Sequence, residues 1–134
     1  VRNVITIVVP GAPIGKPRQT QSDKWKKRPC VMRYRAWADK ARAVAGRLPP
    51  VEHVESMLLV ARFVPPKSWS KKKKMAAIGT LHRVKPDLDN CIKCIDAIYP
   101  DGDQAIADIH ATKIWDWEAS LTITITLVAQ GTTS

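Results

Sequence analysis

Near the end of the chain, Leu121, Ile123, Ile125 and Leu127 alternate with Thr122, Thr124 and Thr126. Strict period two over seven residues has one local solution, a β-strand with its apolar face buried and its threonine face half-exposed. Such a strand needs a sheet to pair in and a layer to cover its apolar side. Val4-Ile5-Thr6-Ile7-Val8-Val9, closed by Pro10-Gly11, supplies a first, largely buried strand. Met57 to Phe63 is a second, ended by Pro65-Pro66. Residues 105–115 read as a third, with Asp116-Trp117-Glu118 as the turn after it. The last two strands are close enough in sequence to predict an antiparallel hairpin.

Helices provide the covering layer. Tyr34, Trp37, Ala38, Ala41 and Val44-Ala45 recur at helical spacing between Tyr34 and Arg47, before Leu48-Pro49-Pro50. Ser68-Trp69-Ser70 ahead of four lysines predicts a short, capped helix on a basic loop. Leu88, Cys91, Ile92, Ile95 and Ile98-Tyr99 share one face of a helix from Asp89 to about Tyr99, which Pro100-Asp101-Gly102 breaks. Residues 10–30 form a long loop, of a length that is usually functional or mobile. The predicted fold is a single α+β domain over residues 1–134, a small mixed β-sheet of about four strands with helices packed on it.

No apolar run reaches the roughly 18 residues of a transmembrane helix, so no membrane partner is expected. No basic-then-apolar leader opens the sequence, and Cys30, Cys91 and Cys94 cannot all pair, so the expected compartment is the reducing cytoplasm. The formal net charge of +10 is sharply segregated. Residues 16–47 carry eleven basic and two acidic side chains, and residues 65–85 carry seven basic ones and no acid. Residues 86–118 reverse the sign, with eight acids against Lys93 and Lys113. Two basic blocks beside an acidic one suggest a polyanion surface next to a place that needs carboxylates. Nucleic acid is the natural polyanion, since each neutralised phosphate releases a counterion.

The carboxylates cluster around Lys85-Pro86-Asp87-Leu88-Asp89-Asn90. Pro86 keeps Lys85 out of helix, so the segment enters extended, where residues two apart point the same way. Asp87 and Asp89 can then face one point if the helix begins at the second Asp, with Asp89 or Asn90 as its N-cap. Lys93 follows Asp89 by four residues, within ion-pair reach on a helix. Asp103 comes after the helix at a turn and can return toward its start. Three carboxylates and a lysine suit a hard cation such as Mg2+, which can activate a water and neutralise charge on a phosphodiester. The plain alternative is helix capping plus solvated acids; Asp96, Asp101 and Asp108 are weaker candidates.

KPDLDNCIK at residues 85–93, followed by DGDQAIADIHATK at 101–113, closely resembles the RusA-type Holliday junction resolvases. Gly-Lys-Pro-Arg at 15–18 is similar to that family's basic loop after strand one. The resemblance implies an Mg2+-dependent endonuclease, with Mn2+ as a possible substitute, that acts as a homodimer on four-way junctions and makes paired nicks. Carried over residue by residue, its metal ligands fall on Asp87, Asp89 and Asp103, and its essential lysine on Lys93. One departure is that Asp96 lies three residues after Lys93, where the family places an Asp four after. The helix is thus one residue shorter, and Asp101 is the fallback third ligand.

Cys91-Ile92-Lys93-Cys94 matches C-x-x-C, but a zinc site would need two more ligands from Cys30, His53, His82 or His110 at irregular spacing. Small buried cysteines explain it adequately. His110 reads as a structural strand residue. Trp25 and Trp69, set among lysines, either stack on unpaired bases or pack their loops onto the domain. Trp37, Trp115 and Trp117 read as core or dimer packing. The expected phosphate contacts are Lys16, Arg18, Lys24, Lys26, Lys27, Arg28, Lys71, Lys72, Lys73, Lys74, Arg83 and Lys85. The rival from another class is a non-catalytic, architectural DNA-binding protein whose acids only balance its lysines.

Overall fold

The computed structural model describes residues 3–14, 29–100, 102 and 105–128. Four strands, β1 (Val4–Pro10), β2 (Val54–Phe63), β3 (Ile109–Trp115) and β4 (Ser120–Leu127), form one sheet in the order β1-β4-β2-β3. β4 is antiparallel to both β1 and β2, while β2 and β3 run parallel. This α+β architecture with a mixed sheet is the expected one.

The expected β3–β4 hairpin does not form. β2 lies between those two strands, and β4 pairs along its length with β1 and β2 instead. In that position β4 is flanked on both edges by apolar strands, and its alternating face closes the middle of the core. Ile7, Ile123, Leu59 and Ala111 stand side by side across the sheet, and so do Val9, Leu121, Ala61 and Lys113. Ile123, Leu121, Val9, Ala61 and Leu59 are all buried to 1% exposure or less. The opposite face carries Thr122, Thr124 and Thr126, with Arg62 donating to Thr122 Oγ1 at 2.7 Å.

Helix α1 (Pro29–Ala45) covers the apolar face with Val31, Tyr34, Trp37, Ala38 and Ala41. It starts a turn earlier than the periodicity predicts, because Pro29 carries a preset φ and needs no hydrogen-bond partner in a first turn. It stops at Gly46, whose φ of +64° is cheap only for glycine and whose N–H returns to Arg42 O at 3.0 Å. Helix α2 (Lys71–Ala77) is capped by Ser70, whose hydroxyl accepts from Lys73 N at 3.2 Å. Helix α3 (Leu88–Ile92) passes directly into a 3-10 turn, Lys93–Ala97. The buried positions Cys91, Cys94 and Ala97 follow at steps of three, matching the three-residue period of that tighter helix. No helix is long and apolar enough to cross a membrane among the described residues.

Candidate active site

The acidic motif sits on the long crossover that joins the parallel strands β2 and β3. Asp87 is the N-cap of α3, with extended backbone (φ −67°, ψ 154°), and Asp89 lies in the first turn. The helix therefore begins at Leu88, one residue before the expected start, and the capping position falls to Asp87 rather than to Asp89 or Asn90. Because Asp87 is extended, the roughly 200° separation of i and i+2 on a continuous helix does not apply to the pair.

Asp87 occupies a cap position without capping. Its side chain makes no hydrogen bond to the helix end, whereas Ser70 at the equivalent place on α2 does. Its main chain is held, since Asp87 O accepts from Asn90 N at 3.1 Å and from Cys91 N at 3.4 Å. Both carboxylates are exposed. Lys93 Nζ is 4.0 Å from Asp89 Oδ2, with side-chain exposures of 54% and 70%. An ion pair that loose and that wet contributes about 0–1 kcal/mol at most, so stability does not explain the cluster.

The segment leading into Asp87 is fastened to β3. Gly79 N and His82 N donate to Trp115 O (2.9 Å) and Lys113 O (3.0 Å), and Trp115 N donates to Thr80 O (3.0 Å). Lys113 Nζ then donates to Val84 O at 2.7 Å and Pro86 O at 2.6 Å. Lys113 has no place among the residues expected from sequence. The available signal was a lysine in the apolar phase of a strand, between Ala111 and Trp115. His82 is buried between the rings of Phe63 (4.4 Å) and Trp115 (4.3 Å). Burial, and secondarily the Lys113 ammonium, push its pKa below the usual histidine value. Lys71, Lys72, Lys73, Arg83 and Lys85 are exposed on this same crossover, and Lys74 is half-buried there.

The profile of the Endodeoxyribonuclease RusA family matches residues 10–126 of the 134-residue chain. The chain belongs to the RusA family. Endonuclease activity and the resolution of Holliday junctions come with membership at the level of the family. None of the curated proteins and none of the solved structures matches this chain.

Within this RusA-family chain, the expected third ligand, Asp103, and its fallback, Asp101, lie outside the described residues, as do Lys16, Arg18, Lys24, Lys26, Lys27, Arg28 and Trp25. Gly102 between the two aspartates is buried, and a side chain there would meet Tyr99 Cβ at 3.1 Å and Tyr99 O at 3.2 Å. Among the described residues no three His, Cys, Asp or Glu side chains come together. Asp87, whose carboxylate is not spent on the helix end, and Asp89, exposed in the first turn, offer the oxygen donors that a hard cation takes. Cys91 and Cys94 are buried, and burial raises both thiols, Cys94 to about 12, which keeps them protonated packing groups.

Trp69 takes the packing alternative. Its ring lies 5.0 Å from that of Trp115, and Lys73 Nζ sits 4.1 Å from its centroid. Trp37 and Trp115 are in the core, whereas Trp117 is 54% exposed at the turn before β4, so of the two expected packing roles, core or dimer, only the core one is excluded for it. A tryptophan beside Asp116 and Glu118 in a four-residue turn has no sheet face to lie against.

Proposed function

We propose that this chain is an Mg2+-dependent resolvase that cuts four-way junctions by paired nicks, acting as a homodimer in the cytoplasm. The observation that carries the reading is Asp87, an exposed carboxylate in a capping position that it does not use, two residues from Asp89. Asp87 and Asp89, with Asp103, would hold the cation. Bound there, Mg2+ (or Mn2+ in its place) supplies positive charge against a phosphodiester and activates a water. Lys93 stands beside Asp89 and offers an ammonium to the charge that develops on the scissile phosphate. The basic side chains of the crossover and of residues 16–28 hold the flanking phosphates and offset the repulsion between an acidic site and DNA. Two sites, one per protomer, would give the two nicks.

The test is cleavage of a labelled synthetic four-way junction beside a linear duplex, with and without Mg2+. Nicks on opposed strands of the junction alone, and only with metal, are expected. Asp87→Asn should abolish cleavage while junction binding is kept or tightened, since the change removes a charge opposed to phosphate. Tight junction binding without cleavage in Mg2+ or Mn2+ would refute the reading in favour of an architectural DNA-binding protein.

A further inference from the structure

Lys113 is out of keeping with its row. Its neighbours across the covered face of the sheet are Ala61, Leu121 and Val9, none more than 1% exposed. Lys113 itself is half-buried on the edge strand, and its ammonium turns away from this apolar row to the oxygens of the neighbouring crossover, since an ammonium left unpaired against such groups would be costly. It finds two main-chain carbonyls, Val84 O and Pro86 O, which occupy two of its three donors. Its own carbonyl accepts from His82 N at 3.0 Å. One residue of β3 thus grips the crossover at positions 82, 84 and 86, and the last of these immediately precedes Asp87.

Nothing else described orients Asp87 from that side. Its carboxylate makes no cap hydrogen bond, so its place follows from its backbone alone. Downstream that backbone is held by Asn90 and Cys91, and upstream by the grip of Lys113. We infer that Lys113 is a positioning residue for the Asp87–Asp89 pair: by holding the carbonyls of Val84 and Pro86 it sets where the Asp87 carboxylate stands, without touching DNA. The inference rests on the proposed role of Asp87 as a cation ligand. Groups that orient ligands from behind typically contribute about 10–100-fold in metal affinity or activity.

The decisive variant is Lys113→Met, which keeps the aliphatic stem and removes the donors. Three quantities are measured: Mn2+ affinity of the DNA-free protein by electron paramagnetic resonance, junction Kd, and the single-turnover cleavage rate. Mn2+ affinity and cleavage rate should each fall by about 10–100-fold, with junction Kd within about 2-fold because no phosphate contact is lost. Lys113→Arg, which retains donors at the same place, should recover part of both. Unchanged Mn2+ affinity in a cooperatively melting Lys113→Met protein would overturn the inference. A loss confined to junction Kd would do so too, making Lys113 a phosphate contact instead.

Asp87→Asn, measured alongside, separates this inference from the reading beneath it. If Asp87→Asn abolishes metal binding and cleavage while Lys113→Met leaves both intact, only the grip fails. If Asp87→Asn also leaves both intact, the site itself is wrong. Should Lys113→Met not fold, the side-chain ammonium signal of Lys113 in the wild-type protein decides by nitrogen-15 NMR. Proton exchange slower than that of Lys71 and Lys72 is expected, and equal exchange would overturn the grip.

Discussion

Four consecutive lysines on α2 do not make four equal phosphate contacts. A helix turns about 100° per residue, so Lys71 to Lys74 fan around most of its circumference. Lys73 holds its ammonium 4.1 Å from the Trp69 ring centroid, and Lys74 is half-buried. Lys73, although exposed, is engaged by that ring, which leaves Lys71 and Lys72 as the exposed pair free of such a contact among the described residues. Each phosphate contact contributes about 0.9 to the slope of log affinity against log salt. The double variant Lys71→Ala/Lys72→Ala should therefore flatten that slope by about 1.8. Between 50 and 200 mM salt, it should lose about 12-fold less affinity than the parent. Adding Lys73→Ala and Lys74→Ala should flatten it only slightly further, whereas four equal contacts would remove about 3.6. The assay is fluorescence anisotropy of a labelled junction at several salt concentrations, in an Asp87→Asn background so that binding is read without cleavage. A quadruple variant that loses the full 3.6 would refute the assignment of Lys73 to Trp69, and a double variant with an unchanged slope would remove α2 from the DNA interface.

Two further outcomes follow from the packing around the site. Because the folded-state pKa of His82 is depressed, the unfolded chain takes up a proton first as pH falls below about 6.5, so stability drops through that window. His82→Phe, which keeps a ring between Phe63 and Trp115, should show a smaller loss between pH 7 and 5 in urea unfolding; identical losses would mean that His82 is not held neutral. Gly102→Ala forces a Cβ to 3.1 Å from Tyr99, which is itself tied through its hydroxyl to Pro49 O at 2.7 Å and cannot give way. Destabilisation of about 1 kcal/mol is expected, the overpacking cost outweighing the stabilisation from the entropy that the unfolded chain loses, and a raised melting temperature would contradict it.

Much of this was legible in the chain because the informative residues are neighbours. The alternation from Leu121 to Leu127 fixes β4 and its buried face, and Ser70 before a lysine run fixes the start of α2. Asp87, Asp89 and Lys93 fall within seven consecutive positions, so their chemistry can be proposed before any folding is known. The one-residue error in the start of α3 is of a different kind. Extended and helical N-cap backbones differ by a single ψ, and Pro86 restrains only the residue before it. Trp69 was ambiguous because aromatics among cations suit both base stacking and cation–π packing. Its contact with Trp115, from a strand more than forty residues away, decides between them.

The misplaced hairpin and the overlooked lysine have one cause. Period-two patterning says which side of a strand is buried, and it is silent on which strand lies beside it. Placing β4 against β3 fills the outer edge of β3, leaving no room there for anything else. With β2 next to β3 in parallel, a long crossover becomes obligatory. That crossover, residues 64–108, carries α2, Arg83, Lys85, Asp87, Asp89 and Lys93. The edge left open on β3 is then taken by the crossover itself, through Gly79, Thr80 and His82. Only in that arrangement does a lysine in the apolar phase of β3 lie beneath the residues that precede Asp87. The strand order, more than any motif, brings Lys113 to the acidic pair, and a sequence reading that errs on the first cannot find the second.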